Sequence, residues 1–190
     1  MREIKRKVLN QFSSARIILF GFIIMIFVGA SILSLPISSR SREFTPFIDA
    51  LFTATSASCV TGLIVYDTAT HWSLFGKIII IAMIQCGGLG VVTMIAVFTQ
   101  VAGKKIGLRD RATLQNALSA PQIGGIVKLT SFIFKGTVII EMIGALLMFP
   151  SFMKDFGVTK GIYYSIFHSI SAFCNAGFDL MGIKYGAYNS

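Results

Sequence analysis

The chain has 190 residues, of which 54% are hydrophobic and only 13% are charged, and its formal net charge at pH 7 is +9. This composition excludes an ordinary soluble domain and favours a membrane protein. The basic residues are divided between separate segments, whereas a nucleic-acid-binding surface needs a continuous basic face. Nucleic acid is therefore not expected as a partner.

Three apolar segments are long enough to cross a bilayer. Residues 17–35 and 78–101 contain no charged side chain, and about 20 helical residues cross roughly 30 Å of hydrocarbon. Residues 129–149 give a third span, which contains Lys135 and Glu141. The first segment follows basic residues, as a signal peptide would, but it is too long for one and further spans follow. We expect it to be a retained helix.

The basic residues predict the orientation of these spans. Most of them lie before the first span and in the connector between the second and third spans: Arg2, Lys5, Arg6, Lys7, Arg16, Lys104, Lys105, Arg109, Arg111 and Lys128. The loops on the other side contain Arg40, Arg42, Lys154 and Lys160. The positive-inside rule then predicts a multi-pass protein of the plasma membrane with its N-terminus and connector in the cytoplasm.

The segment between the first two spans is too apolar for a soluble loop. Residues 46–57 place Phe47, Leu51 and Ala54 on one helical stripe, and about 12 helical residues reach roughly 18 Å, or half of a bilayer. Residues 58–63 are short and contain a glycine, and polar residues then return the chain to water. This pattern predicts a re-entrant loop, in which a half-length helix is followed by extended backbone and a polar exit.

The same pattern occurs twice, 115 positions apart. The corresponding pairs are Phe52 and Phe167, Ser56 and Ser171, Ala57 and Ala172, Cys59 and Cys174, Gly62 and Gly177, and Leu63 and Phe178. Gly29 and Ala30 likewise correspond to Gly144 and Ala145, and Pro36 corresponds to Pro150 after one deletion. The sequence predicts one complete unit and the front of a second, with residues 161–172 as the second loop helix. We expect the chain to be part of a longer protein.

Non-helical backbone at half-membrane depth has a restricted set of roles. It must line a water-filled cavity or be buried in protein, because its carbonyl groups have no partner in lipid. Carbonyl oxygens around a cavity replace the hydration shell of a monovalent cation. Glycine suits such a segment because it adopts backbone conformations that are closed to other residues.

Four motifs lie at residues 59–63, 85–90, 103–108 and 171–178. Together they resemble those of the Trk/Ktr/HKT superfamily of potassium transporters, and most of all those of the membrane subunit of bacterial Ktr systems. The resemblance implies an all-α membrane protein with repeated units of helix, re-entrant pore loop and helix around one pore. Gly62 and Gly177 match the central glycines of the first two filter strands. Relatives with serine at the first of these positions tend to favour sodium, so Gly62 implies potassium.

The resemblance also assigns the ion-binding atoms, which are backbone carbonyl oxygens of the two filter strands. The residues are Cys59, Val60, Thr61 and Gly62 in the first strand and Cys174, Asn175, Ala176 and Gly177 in the second. Potassium is then the transported ion, taken up inward, and no other metal, cofactor or catalytic residue is expected.

The units of the family divide the chain into four parts. We expect a cytoplasmic N-terminus over residues 1–16, a complete unit over 17–102, a cytoplasmic connector over 103–122 and an incomplete second unit over 123–190. Because units three and four are absent, we do not expect the chain to conduct alone. The resemblance further implies a nucleotide-binding regulatory ring of the Ktr type on the cytoplasmic face and a homodimer of full-length subunits.

Three alternatives remain open. One is a sodium-permeable relative, and another is a non-transporting or regulatory fragment. The third is a membrane enzyme that uses Cys174 or His168, which is disfavoured because no base or carboxylate lies at a reachable spacing on the same element.

Several polar residues within the apolar segments need separate interpretation. Glu141 contacts either the ion or a neighbouring helix through a structural hydrogen bond, and we favour the second. His168 serves in helix packing or capping rather than in proton coupling, and Lys135 extends towards the cytoplasmic end of its helix. Asp49 and Asp67 either concentrate cations at the mouth or are simply solvated or capping residues.

The remaining signals are glycines and cysteines. Gly87, Gly88 and Gly90 lack the strand and acidic residue of a dinucleotide-binding loop, so we expect them to lie in the second apolar helix and to permit close helix packing. The three cysteines include the repeat pair Cys59 and Cys174, which either approach each other or are simply small. Neither a disulfide framework nor a zinc site is indicated.

Overall fold

A computed structural model of the chain describes residues 2–91, 93–96, 107–118 and 125–182. Within these ranges the regular elements are helices, apart from one isolated antiparallel bridge between Ser39 and Trp72. The helices are α1 (Arg2–Ser34), a short 3-10 helix (Pro36–Ser38), α2 (Phe47–Ser58), α3 (Leu74–Leu89), α4 (Leu108–Ala117), α5 (Ile126–Phe156) and α6 (Val158–Phe173). The predicted all-α class is confirmed.

The apolar helices differ in length from the predicted spans. Helix α5 is long and apolar enough to cross a membrane by itself, whereas Ile18–Ser34 within α1 and Leu74–Leu89 are shorter apolar helices. The prediction of one helix over residues 78–101 is wrong, because α3 ends at Leu89 and Gly90 has a φ of +83°. A left-handed residue directly after the last helical turn is a common way for a helix to end. Gly90 therefore interrupts the helix, since Val91 and residues 93–96 are helical again. A Cβ atom on Gly90 would make no close contact with another helix.

Helix α5 also has the surface expected of a helix in contact with lipid. Many of its large apolar side chains are exposed: Phe132, Ile139, Ile140, Met142, Ile143, Leu146 and Leu147. Lys135 is also exposed on this helix. Such a continuous apolar surface is unusual on a soluble monomer and is expected where lipid or another protein covers it.

The chain forms two compact units. One comprises Met1–Ile24 with Leu89–Thr137, and the other comprises Met25–Gly88 with Val138–Ser190. In the first unit, Leu114 of α4 is fully buried and packs with the buried residues Ala96 and Ile126. The connector therefore contains a helix with a buried apolar side chain. Residues 97–106 and 119–124 lie outside the described ranges.

Small residues form the tight contacts of the second unit. Ala50, Ala54 and Ala57 of α2 are fully buried, whereas Phe47 is 43% exposed and Ile48 is 78% exposed. Of the predicted stripe, Ala54 lies inside and Phe47 lies outside. Burial of large side chains gives no advantage in lipid, so helices there pack closely through small residues and leave the large ones outside.

The hydroxyl groups of the loop helices are satisfied within their own helix. Thr53 donates to the Asp49 carbonyl at 3.0 Å, and Ser58 donates to the Ala54 carbonyl at 2.7 Å. In α6, Ser165 donates to the Gly161 carbonyl at 2.7 Å. Such bonds to the preceding turn let a hydroxyl occupy a site without water.

The two copies of the repeat agree in their loop helices and differ before them. Helix α2 is displaced by one residue from the predicted range 46–57, and α6 begins three residues before the predicted range 161–172. Pro36 starts the 3-10 helix after α1 has ended, whereas Pro150 lies inside α5. In the second copy the helix continues to Phe156 and turns at Gly157, whose φ is +81°.

Candidate ion-binding site

The two glycine segments, residues 59–63 and 174–178, have the same backbone conformation. Gly62 and Gly177 have φ angles of +76° and +73°. Two residues earlier, Val60 and Asn175 have φ angles of +51° and +57°, which are rare for residues with a side chain. Left-handed residues at equivalent positions mean that the repeat is preserved in the backbone.

The N–H groups of both segments are directed back to the preceding helix. Cys59 donates to the Thr55 carbonyl at 2.8 Å, and its counterpart Cys174 donates to the Ile170 carbonyl at 2.9 Å. The remaining equivalent bonds are Val60 to Ala57 and Thr61 to Ser56 in the first segment, and Asn175 to Ala172 and Ala176 to Ser171 in the second. Among the hydrogen bonds of the described residues, none is accepted by a carbonyl of residues 59–62 or 174–177. The first three N–H groups of each segment are thus hydrogen-bonded, whereas the carbonyl groups of residues 59–62 and 174–177 are free in the described part of the chain.

The two segments meet at their glycines. A Cβ atom on Gly62 would lie 2.5 Å from the Ala176 carbonyl oxygen and 3.2 Å from Gly177 Cα. A Cβ atom on Gly177 would lie 3.5 Å from Gly62 Cα. The structure therefore places Gly62 directly against Ala176 and Gly177, and the space between them is too small for a side chain at position 62.

Helix α3 supports both segments through consecutive glycines. A Cβ atom on Gly87 would collide with the backbone carbonyl of Ser58, at the end of α2. A Cβ atom on Gly88 would lie 2.6 Å from the Sγ atom of Cys174 and 2.9 Å from its Cβ atom. Gly87 and Gly88 thus have the close-packing role that their sequence predicted, and each contacts a different copy of the repeat.

Side chains hold the two segments in different ways. Thr61 Oγ1 donates to Ser56 Oγ at 2.9 Å in the first segment, and Ser171 Oγ donates to the Phe178 carbonyl at 2.7 Å in the second. His168 accepts a hydrogen bond from the Leu180 N–H at Nε2, at 3.2 Å, while its Nδ1 lies 2.8 Å from the Tyr164 carbonyl. Acceptance at Nε2 requires neutral imidazole with its proton on Nδ1. This geometry supports a capping role for His168.

A buried polar cluster lies behind the second segment. Cys174 Sγ donates to the amide oxygen of Gln85 at 3.8 Å. The Glu141 backbone carbonyl accepts a hydrogen bond from Ser169 Oγ of α6 at 2.6 Å. Glu141 Oε1 is buried and has no partner among the described residues. The Glu141 side chain is not among the residues that line the cavity beside the two glycines, which favours a structural role over direct ion contact.

Replacing Glu141 with glutamine is expected to leave cation binding within about threefold of the native affinity, because glutamine keeps the size of the buried side chain. Replacing it with alanine leaves a cavity in this cluster and is expected to destabilise the protein by about 2–5 kcal/mol. Cation binding and the thermal unfolding midpoint of each purified variant are the measurements. A stable Glu141→Gln protein that has lost cation binding would contradict the structural role and favour contact with the ion.

A cavity of about 310 Å³ adjoins the two glycines. Asp67 and Asp179 line it, together with Thr68, whose buried hydroxyl has no partner in the described part of the chain. The Asp67 carboxylate accepts hydrogen bonds from Ala69 N–H at 2.8 Å and Thr70 Oγ1 at 3.1 Å. Two carboxylates beside the free carbonyls attract cations to this cavity. The sequence interpretation missed Asp179, and its position directly after the second glycine segment was the available signal.

Asp49 has a different role from Asp67. Its carboxylate accepts a hydrogen bond from Tyr66 Oη at 2.7 Å, and this bond raises the pKa of the Tyr66 phenol. Tyr66 stacks on His71 with ring centroids 4.0 Å apart. Burial lowers the pKa of His71 although the charge of Asp49 opposes this shift, so His71 is neutral at pH 7. Asp49 therefore stabilises the returning loop and is not among the residues that line the cavity at the glycines.

The cysteines and acidic residues give no sign of other chemistry. Cys59, Cys86 and Cys174 are all free thiols. Within the described ranges, no group of three or more His, Cys, Asp or Glu side chains is arranged to hold a metal ion.

Comparison with known proteins gives a family and several relatives. The TrkH family, described as cation transport protein, matches residues 5–190. The chain is 47% identical over 182 residues to the potassium/sodium uptake protein NtpJ of Enterococcus hirae, covering 96% of this chain and 40% of NtpJ. It is 43% identical over 170 residues to the Ktr system potassium uptake protein B of Bacillus subtilis, covering 90% of this chain and 38% of that protein.

A third relative agrees with these. The Ktr system potassium uptake protein B of Vibrio alginolyticus is 40% identical over 165 residues, with 87% of this chain and 36% of that protein covered. The chain thus spans about 40% of the length of the curated relatives that it matches. The extent of the family match and the identities confirm the resemblance that the four motifs indicated. The chain belongs to the TrkH family of cation transport proteins, which are membrane transporters and not a class of enzymes.

Proposed function

We propose that this chain contributes the first part of the selectivity filter of a potassium uptake protein. The observation that carries the proposal is the pair of glycine segments, which share one backbone conformation, meet at Gly62 and Gly177, and leave their carbonyl groups free. In this proposal the carbonyls of residues 59–62 and 174–177 replace the hydration shell of K⁺. Weak binding at several such sites in series permits rapid passage.

The preceding helices add a favourable field. Helices α2 and α6 end directly before the two segments, so their C-terminal ends, which carry partial negative charge, point towards the bound cation. The carboxylates of Asp67 and Asp179 raise the local cation concentration at the adjoining cavity. Transport of K⁺ is then inward, down its electrochemical gradient.

The proposed topology follows from the charge distribution. The chain crosses the plasma membrane several times with residues 1–16 and 103–122 in the cytoplasm. Each glycine segment belongs to a re-entrant loop in units over residues 17–102 and 123–190. Two of the four filter strands expected around a pore lie in this chain, so transport requires further strands from a longer protein or from other copies.

The names of the relatives support a multicomponent system. Two of them are called Ktr system proteins, which indicates that they work as parts of a system. We propose that a nucleotide-binding regulatory ring contacts the cytoplasmic face that carries α4, and that full-length subunits form a homodimer.

Sodium is the competing cation. The Enterococcus hirae relative is called a potassium/sodium uptake protein, so a sodium-permeable protein is the second candidate. Glycine at position 62 favours potassium, because a side chain there would displace the Ala176 carbonyl from the site.

Uptake measurements test this proposal. Expression of the native gene in a potassium-uptake-deficient bacterium is expected to restore growth at low K⁺ and to give saturable K⁺ uptake that exceeds Na⁺ uptake. Empty vector is the control. Equal uptake of both ions would favour the sodium-permeable candidate, and uptake of neither ion would contradict the proposal.

A cysteine variant tests whether backbone atoms carry the function. Replacing the exposed Cys59 with alanine keeps the backbone carbonyl and is expected to leave K⁺ uptake within about twofold of the native rate. The measurement is the initial rate of K⁺ uptake at matched protein levels in the membrane. Retained uptake would exclude an essential thiol at this position, whereas complete loss of uptake in a folded variant would contradict the expectation that the Cys59 side chain is dispensable.

A further inference from the structure

A large cavity with basic walls lies apart from the glycine segments. Its volume is about 870 Å³, and it lies between the 3-10 helix after α1, the first turn of α3 and the first turns of α6. Its charged lining residues are Arg40, Arg42, Lys77 and Lys160. No Asp or Glu is among the described residues that line it. We call this cavity the basic pocket.

The basic pocket contains a buried cation. Lys77 is 9% exposed, and its ammonium group donates one hydrogen bond, to the Ala69 carbonyl at 2.7 Å. The charge of Asp67 acts on this ammonium group, but the hydrogen bonds of the Asp67 carboxylate go to Ala69 and Thr70. A buried ammonium group is costly unless its charge is balanced. The pocket therefore favours a ligand that carries negative charge.

Two residues that line the same cavity carry buried, unpartnered donors. The indole Nε1 of Trp72, a residue that is only 1% exposed, and the phenol oxygen of Tyr163 are buried and have no hydrogen-bond partner in the described ranges. Indole N–H is only a donor, so it requires an acceptor. Buried polar groups in proteins nearly always have partners, and a pair of unpartnered donors beside several cations indicates a missing acceptor. A ligand with several anionic oxygens satisfies all of these groups.

The rim of the pocket is apolar, which indicates that the anion is part of a lipid and not a free ion. Ile37 and Leu74 are 62% and 61% exposed, and Phe75 is 39% exposed. These residues lie where α1 has just ended and α3 begins, at one boundary of the apolar segments. Acyl chains bury such a rim, whereas a free phosphate ion leaves it exposed to water.

We propose that the basic pocket binds the phosphate of an anionic phospholipid, whose acyl chains lie along Ile37, Leu74 and Phe75. The phosphate oxygens accept hydrogen bonds from Trp72 and Tyr163 and pair with the basic side chains. Guanidinium and ammonium groups are the usual partners of phosphate oxygens. The proposal needs the membrane placement of these helices and is independent of which cation the protein transports.

Lipid binding to the native protein, in the length in which the cell makes it, tests this inference. The probe is phosphatidylglycerol, added to protein in phosphatidylcholine nanodiscs. Binding is measured by native mass spectrometry and by the shift in the thermal unfolding midpoint. The Arg42→Gln/Lys160→Gln double variant removes two exposed cations and is expected to weaken phosphatidylglycerol binding by about thirtyfold. The control is Lys128→Gln/Lys135→Gln, which removes two exposed cations from α5 and is expected to bind like the native protein.

A second variant separates ligand binding from general electrostatics. Tyr163→Phe keeps the ring and removes the unpartnered hydroxyl, so the variant without phosphatidylglycerol is expected to be at least as stable as the native protein and to respond less to the lipid. The inference is overturned if both double variants bind equally, or if phosphatidylglycerol binds no better than phosphatidylcholine. A stabilisation by inorganic phosphate in detergent, equal to that by the lipid, would overturn the phospholipid assignment in favour of free phosphate.

Discussion

Replacing Gly62 with alanine is expected to reduce K⁺ uptake by roughly a hundredfold, because distortion of the proposed filter by the new side chain costs about 3 kcal/mol. Two effects add up. Gly62 has a φ of +76°, where a side chain is strained, and its Cβ would lie 2.5 Å from the Ala176 carbonyl oxygen. The measurement is initial K⁺ uptake at matched membrane protein levels. Because that oxygen belongs to the proposed filter, relief of the collision moves an ion ligand.

The control for this variant is Gly157→Ala. Gly157 also has a positive φ, +81°, but a Cβ there would meet no atom within 4 Å. It therefore has comparable backbone strain without the collision, and uptake is expected to stay near the native rate in any folded protein. Equal loss of uptake in both variants would mean that strain alone matters and would contradict a role for contact between the segments.

Serine at position 62 refines the same prediction. It introduces the same Cβ collision but adds a hydroxyl oxygen, which is able to bind a cation in place of a displaced carbonyl. Uptake is expected to fall less than with alanine, and the ratio of K⁺ to Na⁺ uptake is expected to fall by about tenfold, or 1.4 kcal/mol. An unchanged ratio would show that this contact does not determine selectivity.

Alanine at position 87 is expected to destabilise the folded protein by about 3 kcal/mol or more, because insertion of a methyl group into a tight contact costs about 1–3 kcal/mol even where side chains can move. The atoms that Cβ would meet are the backbone carbonyl oxygen, carbonyl carbon and Cα of Ser58, so no rotamer change relieves the collision. Helix α3 and the end of α2 must separate. The thermal unfolding midpoint and the amount of protein in the membrane are the measurements.

Gly136→Ala is the matched control for that variant. Gly136 lies inside α5, and a Cβ there would meet no atom within 4 Å. Alanine favours a helix over glycine by about 1 kcal/mol, so this change is expected to be neutral or stabilising. If Gly87→Ala were equally well tolerated, the proposed close contact between α3 and the first glycine segment would be wrong.

The sequence predicted the parts of this structure that depend on repetition. The offset between Cys59 and Cys174 paired the two segments correctly, and the matching φ angles of Gly62 and Gly177 follow from that pairing. It also predicted the small-residue packing of Gly87 and Gly88, because consecutive glycines in an apolar helix have few other roles. The sequence left two roles open for each of Glu141 and His168, and only the contacts in the structure distinguish between these roles.

The features that sequence reasoning missed depend on contacts between distant segments. The helix interruption at Gly90 was missed because apolar residues continue on both sides of it. The left-handed backbone angle that interrupts the helix cannot be read from composition. The basic pocket was missed because Arg42, Lys77 and Lys160 come from three elements, and their separate spacing indicates only solvated charges. The different neighbours of Gly87 and Gly88 likewise depend on how distant segments pack against α3, which the sequence of α3 does not specify.

The two glycine segments have the same backbone conformation but differ in the side chains that stabilise it. In the first segment, Thr61 donates a hydrogen bond to the hydroxyl of Ser56 in the preceding helix. In the second segment, Ser171 donates to the Phe178 carbonyl, and His168 accepts from the Leu180 N–H. In the proposed filter, equivalent backbone ligands are therefore held by unequal supports, so the two segments differ in how easily they move. Mutation of a side chain that supports one segment is expected to change how firmly that segment holds an ion and to leave its carbonyl ligands the same.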